Sequence, residues 1–97
     1  MLFVIHAIDK AGDGSARLAN RDAHLAFAAE HAATIRLGGP LLGDDGQSMV
    51  GSMLVIEADD INAAKAWAAQ DPYAVNGVFE RVEIRPWKAV LGTTAIS

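Results

Sequence analysis

Cysteine is absent from the 97-residue chain, which excludes disulfides, thiolate metal sites and cysteine nucleophiles. Long apolar runs are absent too: nothing approaches the ~18 residues needed to span a membrane, so no membrane partner is expected. Runs of Lys or Arg are missing, and the formal charge of -4 runs against phosphate neutralisation. A general nucleic-acid binder is therefore excluded. The amino terminus, MLFVIHAIDK, lacks a basic start and has its apolar run interrupted by His6, so it reads as a strand rather than a signal peptide. A cytoplasmic location is the default expectation.

What is present suits one small domain over residues 1–97, with a short tail from about 89 to 97 expected to fray. Half of the chain (52%) is hydrophobic, yet much of that is alanine, which buries little area per residue. A chain of this size leaves much of its surface uncovered, which favours association with a second copy.

The order of elements follows from patterning. Residues 2–9 are β-branched and aromatic, as in a buried strand, and 9–15 (DKAGDGS) have a loop composition. From Arg17, the apolar residues Leu18, Leu25, Ala28, Ala29, Ala32 and Ile35 recur at helical spacing, with Ser15 as a cap and Gly38-Gly39-Pro40 as the stop. Residues 40–44 and 49–57 read as a hairpin around Asp45-Gly46. Asp59 or Asp60 caps a second helix through Gln70, which Pro72 ends, and residues 78–87 form the last strand.

This βαββαβ order predicts an α+β, ferredoxin-like fold, a four-stranded antiparallel sheet with two helices on one face. Strand one is apolar on both faces apart from His6, so the open face needs a cover. A second copy packed sheet to sheet is the expected partner.

Two residues stand out chemically. His24 is predicted at the edge of the buried helix face, where an imidazole can exchange protons near neutral pH. Its plainer reading is a surface histidine bonded to a loop. Asp71 sits at a helix C-terminus, against the dipole, which costs about 0.3–1 kcal/mol when exposed. Broken local rules cluster where function or a specific turn demands them. An Asp-Pro turn is the alternative. The two are 47 positions apart, so only the fold can join them, as an oriented base without an obvious nucleophile.

Other candidates carry less. Arg17 and Arg21 share a side of the helix with His24, either as a solvated face beside Asp22 or as an anchor for an acidic group. His31 lies about 10 Å along the helix from His24, and Glu30-His31 lacks a zinc-protease partner, so no metal site is expected. His6 either lines the open face or a pocket between copies, or is a satisfied buried histidine. Ser52 serves as a nucleophile only if a base lies beside it.

Several segments, taken together, resemble the YciI-like (YCII-related domain) family of small ferredoxin-like proteins. They are MLFVIHAIDK, Arg21-x-x-His24-Leu25, Gly39-Pro40-Leu41, Gly51-Ser52, Asp71-Pro72-Tyr73 with Gly77-Val78, and Val82-x-Ile84-x-Pro86-Trp87. The match runs from Met1 to about Val90 in the family's order. The resemblance implies a dimeric α/β barrel-like assembly and a pocket in which His24 and Asp71 pair as a catalytic dyad. His6 stands where some relatives carry tyrosine. Some members are enzymes, one of which removes chloride from a chlorinated hydroxyquinone-type ring, and most have no assigned activity.

The leading expectation is a cofactor-independent enzyme acting by proton transfer (elimination, isomerisation or hydrolysis) on a small cyclic or aromatic metabolite. Arg21, Ser52, Tyr73 and His6 are its candidate substrate contacts. The alternative is a non-catalytic ligand-binding or accessory module with the same pocket. In a third reading, His24 and Asp71 form a structural hydrogen bond alone.

Overall fold

The computed structural model describes residues 1–92. Its elements run β1 (Leu2–Asp9), α1 (Ser15–Ala19), α2 (Arg21–Glu30), β2 (Ile35–Leu42), β3 (Met49–Glu57), α3 (Ile61–Ala68), α4 (Pro72–Val75) and β4 (Phe79–Trp87). The strands form one antiparallel sheet in the order β2-β3-β1-β4. The predicted ferredoxin-like α+β fold is thus the observed one. No helix among the described residues is long and apolar enough to cross a membrane.

Side chains of paired residues in an antiparallel ladder share a face. Phe3, Ile5 and Ala7 of β1 pair with Ile56, Leu54 and Ser52 of β3, and this set faces the helices. The core is built on it: Phe3, Ile5, Leu54 and Ile56 are buried with Ala64 and Ala68 of α3, and Ile35, Ile61, Trp67 and Ile84 close its margins. Alanines on α3 let that helix lie close to the sheet. Asp60 caps it, its carboxylate accepting the Ala63 amide proton at 2.7 Å.

The open face carries the other register. Here Val4, Ile8 and Met53 are half-buried, His6 is exposed, and β4 contributes exposed Arg81, Glu83 and Arg85. Gly51 sits between β1 and β2, where a Cβ would lie 2.2 Å from the Ala7 carbonyl oxygen, so only glycine permits this strand spacing.

Several sequence expectations need correcting. The first predicted helix is two, broken at Asn20, and it ends before Ala32. Gly14, at φ 84°, precedes its first turn, and Ser15 makes no side-chain cap. Leu18 and Leu25, expected in the core, are 74% and 47% exposed. Ile35, Gly38, Gly39 and Pro40 belong to β2, because Ile35, Leu37 and Gly38 pair with Ile56, Val55 and Leu54. Proline is tolerated there since β2 is an edge strand. The second helix stops at Ala68 rather than Gln70, and most of the predicted fraying tail, 93–97, lies outside the described residues.

Asp71 also reads differently. It does not end a helix against the dipole so much as begin one: it is the N-cap of α4, with Pro72 at the first helical position. Its carboxylate accepts the Tyr73 amide proton at 2.9 Å. The rule it was expected to break is one it obeys.

Candidate active site

The sheet positions one half of the site and the short helices the other. Helix α2 contributes no fully buried side chain, and β2 offers Gly38 and Gly39 beneath it. The result is a cleft of about 310 Å³ between α2 and the β2–β3 side of the sheet. Its polar lining comes from Arg17, Arg21, His24, Ser52 and Tyr73, and its apolar walls include Leu25, Ile35 and Leu54.

Turning the chain at Asn20 starts α2 afresh, so that His24 lies one turn inside it and over the cleft. The Asp71 N-cap then fixes the facing carboxylate. His24 Nδ1 and Asp71 Oδ1 are 2.8 Å apart, with side chains 15% and 5% exposed. The carboxylate can only accept, so Nδ1 carries the proton and donates. The same Oδ1 holds the Tyr73 amide, so it is pinned from the backbone as well. The His24 ring stacks on Tyr73 with centroids 4.1 Å apart and planes 13° from parallel. Nε2 has no protein partner among the described residues.

A second polar cluster lies beside this pair. Arg17, only 5% exposed, donates from Nε to Asp9 Oδ2 at 2.7 Å and from Nη2 to Asp9 Oδ1 at 2.9 Å. Its Nη2 also donates to Ser52 Oγ at 2.8 Å, and its guanidinium carbon sits 4.4 Å from the Tyr73 ring centre. Burial pulls the Arg17 pKa down, but the paired Asp9 carboxylate outweighs it and holds the guanidinium above its ordinary value. Burial pushes the Tyr73 hydroxyl up, with Arg17 opposing, so Tyr73 stays a neutral phenol in the working range.

The sequence candidates therefore divide. His24, Asp71, Ser52 and Tyr73 come together, with Arg21 exposed on the cleft lining. His6 does not join them: it faces the opposite side of the sheet, paired with Met53 and Glu83. Ser52 has Arg17 rather than a histidine at its hydroxyl, which removes the nucleophile reading. His31 is engaged elsewhere, its Nδ1 accepting from the Trp67 indole at 3.0 Å.

Two members were missed or undervalued. The sequence shows Asp9 only as the residue where strand passes into loop, and Arg17 only as part of a solvated face or an anchor for an acidic group. Their pairing depends on the strand end lying over α1, and spacing alone gave no signal of it. A histidine-rich or carboxylate-rich cluster able to hold a metal ion is absent among the described residues.

A four-stranded antiparallel sheet covered by helices, with a polar cleft under the first of them, defines an α+β domain of ferredoxin-like type. The chain matches the YCII-related domain over residues 1–88 and belongs to that family. It is 37% identical over 97 residues to protein YciI of Escherichia coli O6:H1, covering 93% of this chain and 99% of the relative. An uncharacterised protein of Haemophilus influenzae matches with the same identity and coverage. Among solved structures, 5-chloro-2-hydroxyhydroquinone dehydrochlorinase from Burkholderia phenoliruptrix, in complex with 2,5-dihydroxybenzoquinone, superposes with a TM-score of 0.81. It is 34% identical, covering 91% of this chain and 94% of that one. A variant of MhuD with manganese protoporphyrin IX matches at a TM-score of 0.51 and 21% identity over 96% of this chain and 98% of that one, a likeness of fold alone.

Proposed function

We propose that the protein is a cofactor-independent enzyme that uses His24 and Asp71 for proton transfer on a small cyclic or aromatic metabolite. One observation carries this reading: His24 Nδ1 is held by Asp71 at 2.8 Å while the ring lines a ligand-sized cleft. Asp71 orients the imidazole and stabilises it once it gains a proton, and Nε2 is the base and then the acid. The cleft walls, with Leu25, Ile35, Leu54 and the Tyr73 ring, suit a flat apolar body. The 34% identity to a dehydrochlorinase that holds 2,5-dihydroxybenzoquinone supports a ring substrate and an elimination or isomerisation.

Turnover of a panel of hydroxylated quinones, hydroquinones and cyclic ketones, followed by absorbance, tests the proposal. His24→Ala should lower kcat/KM by about 10²–10⁴, the usual share of a positioned acid or base. Asp71→Asn keeps a capping oxygen and should lose much of the same activity. Wild-type turnover in both variants would overturn the dyad. Binding of panel members with no turnover by the wild type would favour the ligand-binding module.

A structural reading has its own observation, since Asp71 also caps α4 and so ties α4 to α2. It requires that His24→Ala destabilise the fold and that no ligand enter the cleft.

The open face, with Val4, Ile8 and Met53 half-buried, supports the further proposal that two copies pack sheet to sheet. A monomer in sedimentation at micromolar concentration would exclude it.

A further inference from the structure

Ser52 is buried on the helix-facing side of β3 and lines the cleft. Its oxygen accepts from Arg17 Nη2 at 2.8 Å, which occupies a lone pair. The hydroxyl proton must then go elsewhere, and Ser52 Oγ donates no hydrogen bond to any of the described residues. A buried donor of this kind, backed by a cation, is an unused half of a hydrogen bond aimed by its neighbours.

Most of the Arg17 donors are engaged within the protein. Nε and one Nη2 hydrogen go to Asp9 and the other Nη2 hydrogen goes to Ser52, leaving only Nη1 without a hydrogen-bond partner among the described residues, and the Asp9 carboxylate compensates the charge. What Arg17 does is fix the Ser52 oxygen and polarise its O–H bond. Arg21, by contrast, is exposed on the same cleft and has no ion-pair partner among the described residues.

We infer that Ser52 is the electrophilic half of the site, its O–H donating to a substrate oxygen on which negative charge collects, with Arg17 and Asp9 as positioning residues. The proposal rests on the His24 reading for its chemistry, and it names the substrate class: a ring carbonyl with an acidic C–H beside it, or the corresponding enol or phenol. His24 Nε2 takes the proton from carbon. The C–H electron pair becomes the enolate double bond, and the carbonyl π pair moves onto oxygen, where Ser52 meets it. Collapse of the enolate expels a leaving group, with its bonding pair, from the carbon next to the new double bond or, where a further ring double bond is conjugated with the enolate, recovers the proton from His24 at the far carbon of that dienolate. In the expulsion, the proton stays on His24 until water carries it away. A donor prepositioned for the oxyanion stabilises the enolate more than the ketone, which is what lowers a barrier.

The test uses 4-nitrophenol as an oxyanion probe and 4-nitroanisole as its uncharged counterpart, titrated into the intact protein by absorbance and calorimetry. The wild type should bind the phenolate selectively and lower the pKa of the bound phenol. Ser52→Ala should weaken phenolate binding by about ten- to a hundredfold, the value of a hydrogen bond to a charged group, and leave nitroanisole binding unchanged. It should also move the pKa of the bound phenol back toward that of the free one. Arg17→Lys keeps a positive charge but cannot hold Asp9 by a fork and Ser52 together, so it should show part of the same loss. Thermal unfolding checks that each variant is folded, and if Arg17→Lys is not, Ser52→Ala decides.

Unchanged phenolate affinity in folded Ser52→Ala overturns the proposal. Equal weakening of phenolate and nitroanisole also overturns it, because shape rather than a donor is then being read. If the wild type turns over no ring substrate yet shows Ser52-dependent phenolate selectivity, the acid–base reading falls and the oxyanion site stands.

Discussion

The two halves of the helix layer cover the same sheet in opposite ways. Under α3, Ala64 and Ala68 join Phe3, Ile5, Leu54 and Ile56 in one buried cluster, and the cavity left beside Trp67 and Ala68 is only about 10 Å³. Under α2, no side chain is fully buried, Leu25 is 47% exposed, and a cleft of about 310 Å³ separates helix from strand. Stability is concentrated in the first half, and polar side chains that hold one another by hydrogen bonds occupy the second. Packing that is left incomplete makes room for a ligand, and it moves the cost onto the closed half.

Breaking the closed half should have the largest effect. Phe3→Ala removes a fully buried ring and should cost about 3–5 kcal/mol, read as a lowered midpoint in denaturant unfolding. Gly51→Ala acts at the seam, where the added methyl meets the Ala7 carbonyl oxygen at 2.2 Å. A loss of about 1–3 kcal/mol is expected from that overpacking, with the bond between Ser52 and Arg17 disturbed as well.

The cleft half should separate function from stability. Asp71→Ala removes an N-cap and should destabilise by about 0.5–2 kcal/mol more than Asp71→Asn, while both variants lose the charged partner of His24. Comparing their unfolding curves with their turnover isolates the cap from the carboxylate. Leu25→Ala should change stability by no more than about 0.5–1 kcal/mol, since nearly half of that side chain is already wet. A loss as large as that of Phe3→Ala would erase the contrast between the two halves.

The smallest effect lies outside both halves, in the hairpin loop. The Asp45 carboxylate accepts from Ser48 and from the Gln47 and Ser48 amides, which hold its pKa down at about 2 against an ordinary 3.8. A group depressed in the folded state contributes stability in full above its ordinary value, and that contribution is lost as pH falls toward 2. Asp45→Asn should flatten this acid limb by lowering stability slightly at pH 7, with the variant and wild-type curves converging as pH falls toward 2.

Much of the fold was legible because strands announce themselves through residue type. The runs of β1 and β3 have the expected bounds, and β4 begins one residue later than expected, at Phe79. The first helix is shorter than its pattern because Ala28, Ala29 and Ala32 carry the helical period up to Ile35, which instead pairs with Ile56, and tertiary pairing overrides the local pattern. Leu18 and Leu25 looked like core for the same reason, since periodicity shows a stripe but not whether anything covers it.

At the site, His24 and Asp71 were legible as candidates, but Asp71 for a mistaken physical reason. The dipole conflict vanishes once α4 is seen to start at Pro72. Arg17 and Asp9 were not legible, because a buried ion pair and an exposed one look alike in sequence. Only the register that brings Ser52 opposite Ala7 shows why Arg17 turns inward.

The most direct test of the central claim is the ring nitrogen-15 spectrum of His24 at saturating 2,5-dihydroxybenzoquinone. The Nε2 resonance is expected to move on binding while Nδ1 keeps its hydrogen bond to Asp71. An unmoved Nε2 resonance, with ligand-induced shifts gathered on the open sheet face around His6, would contradict it.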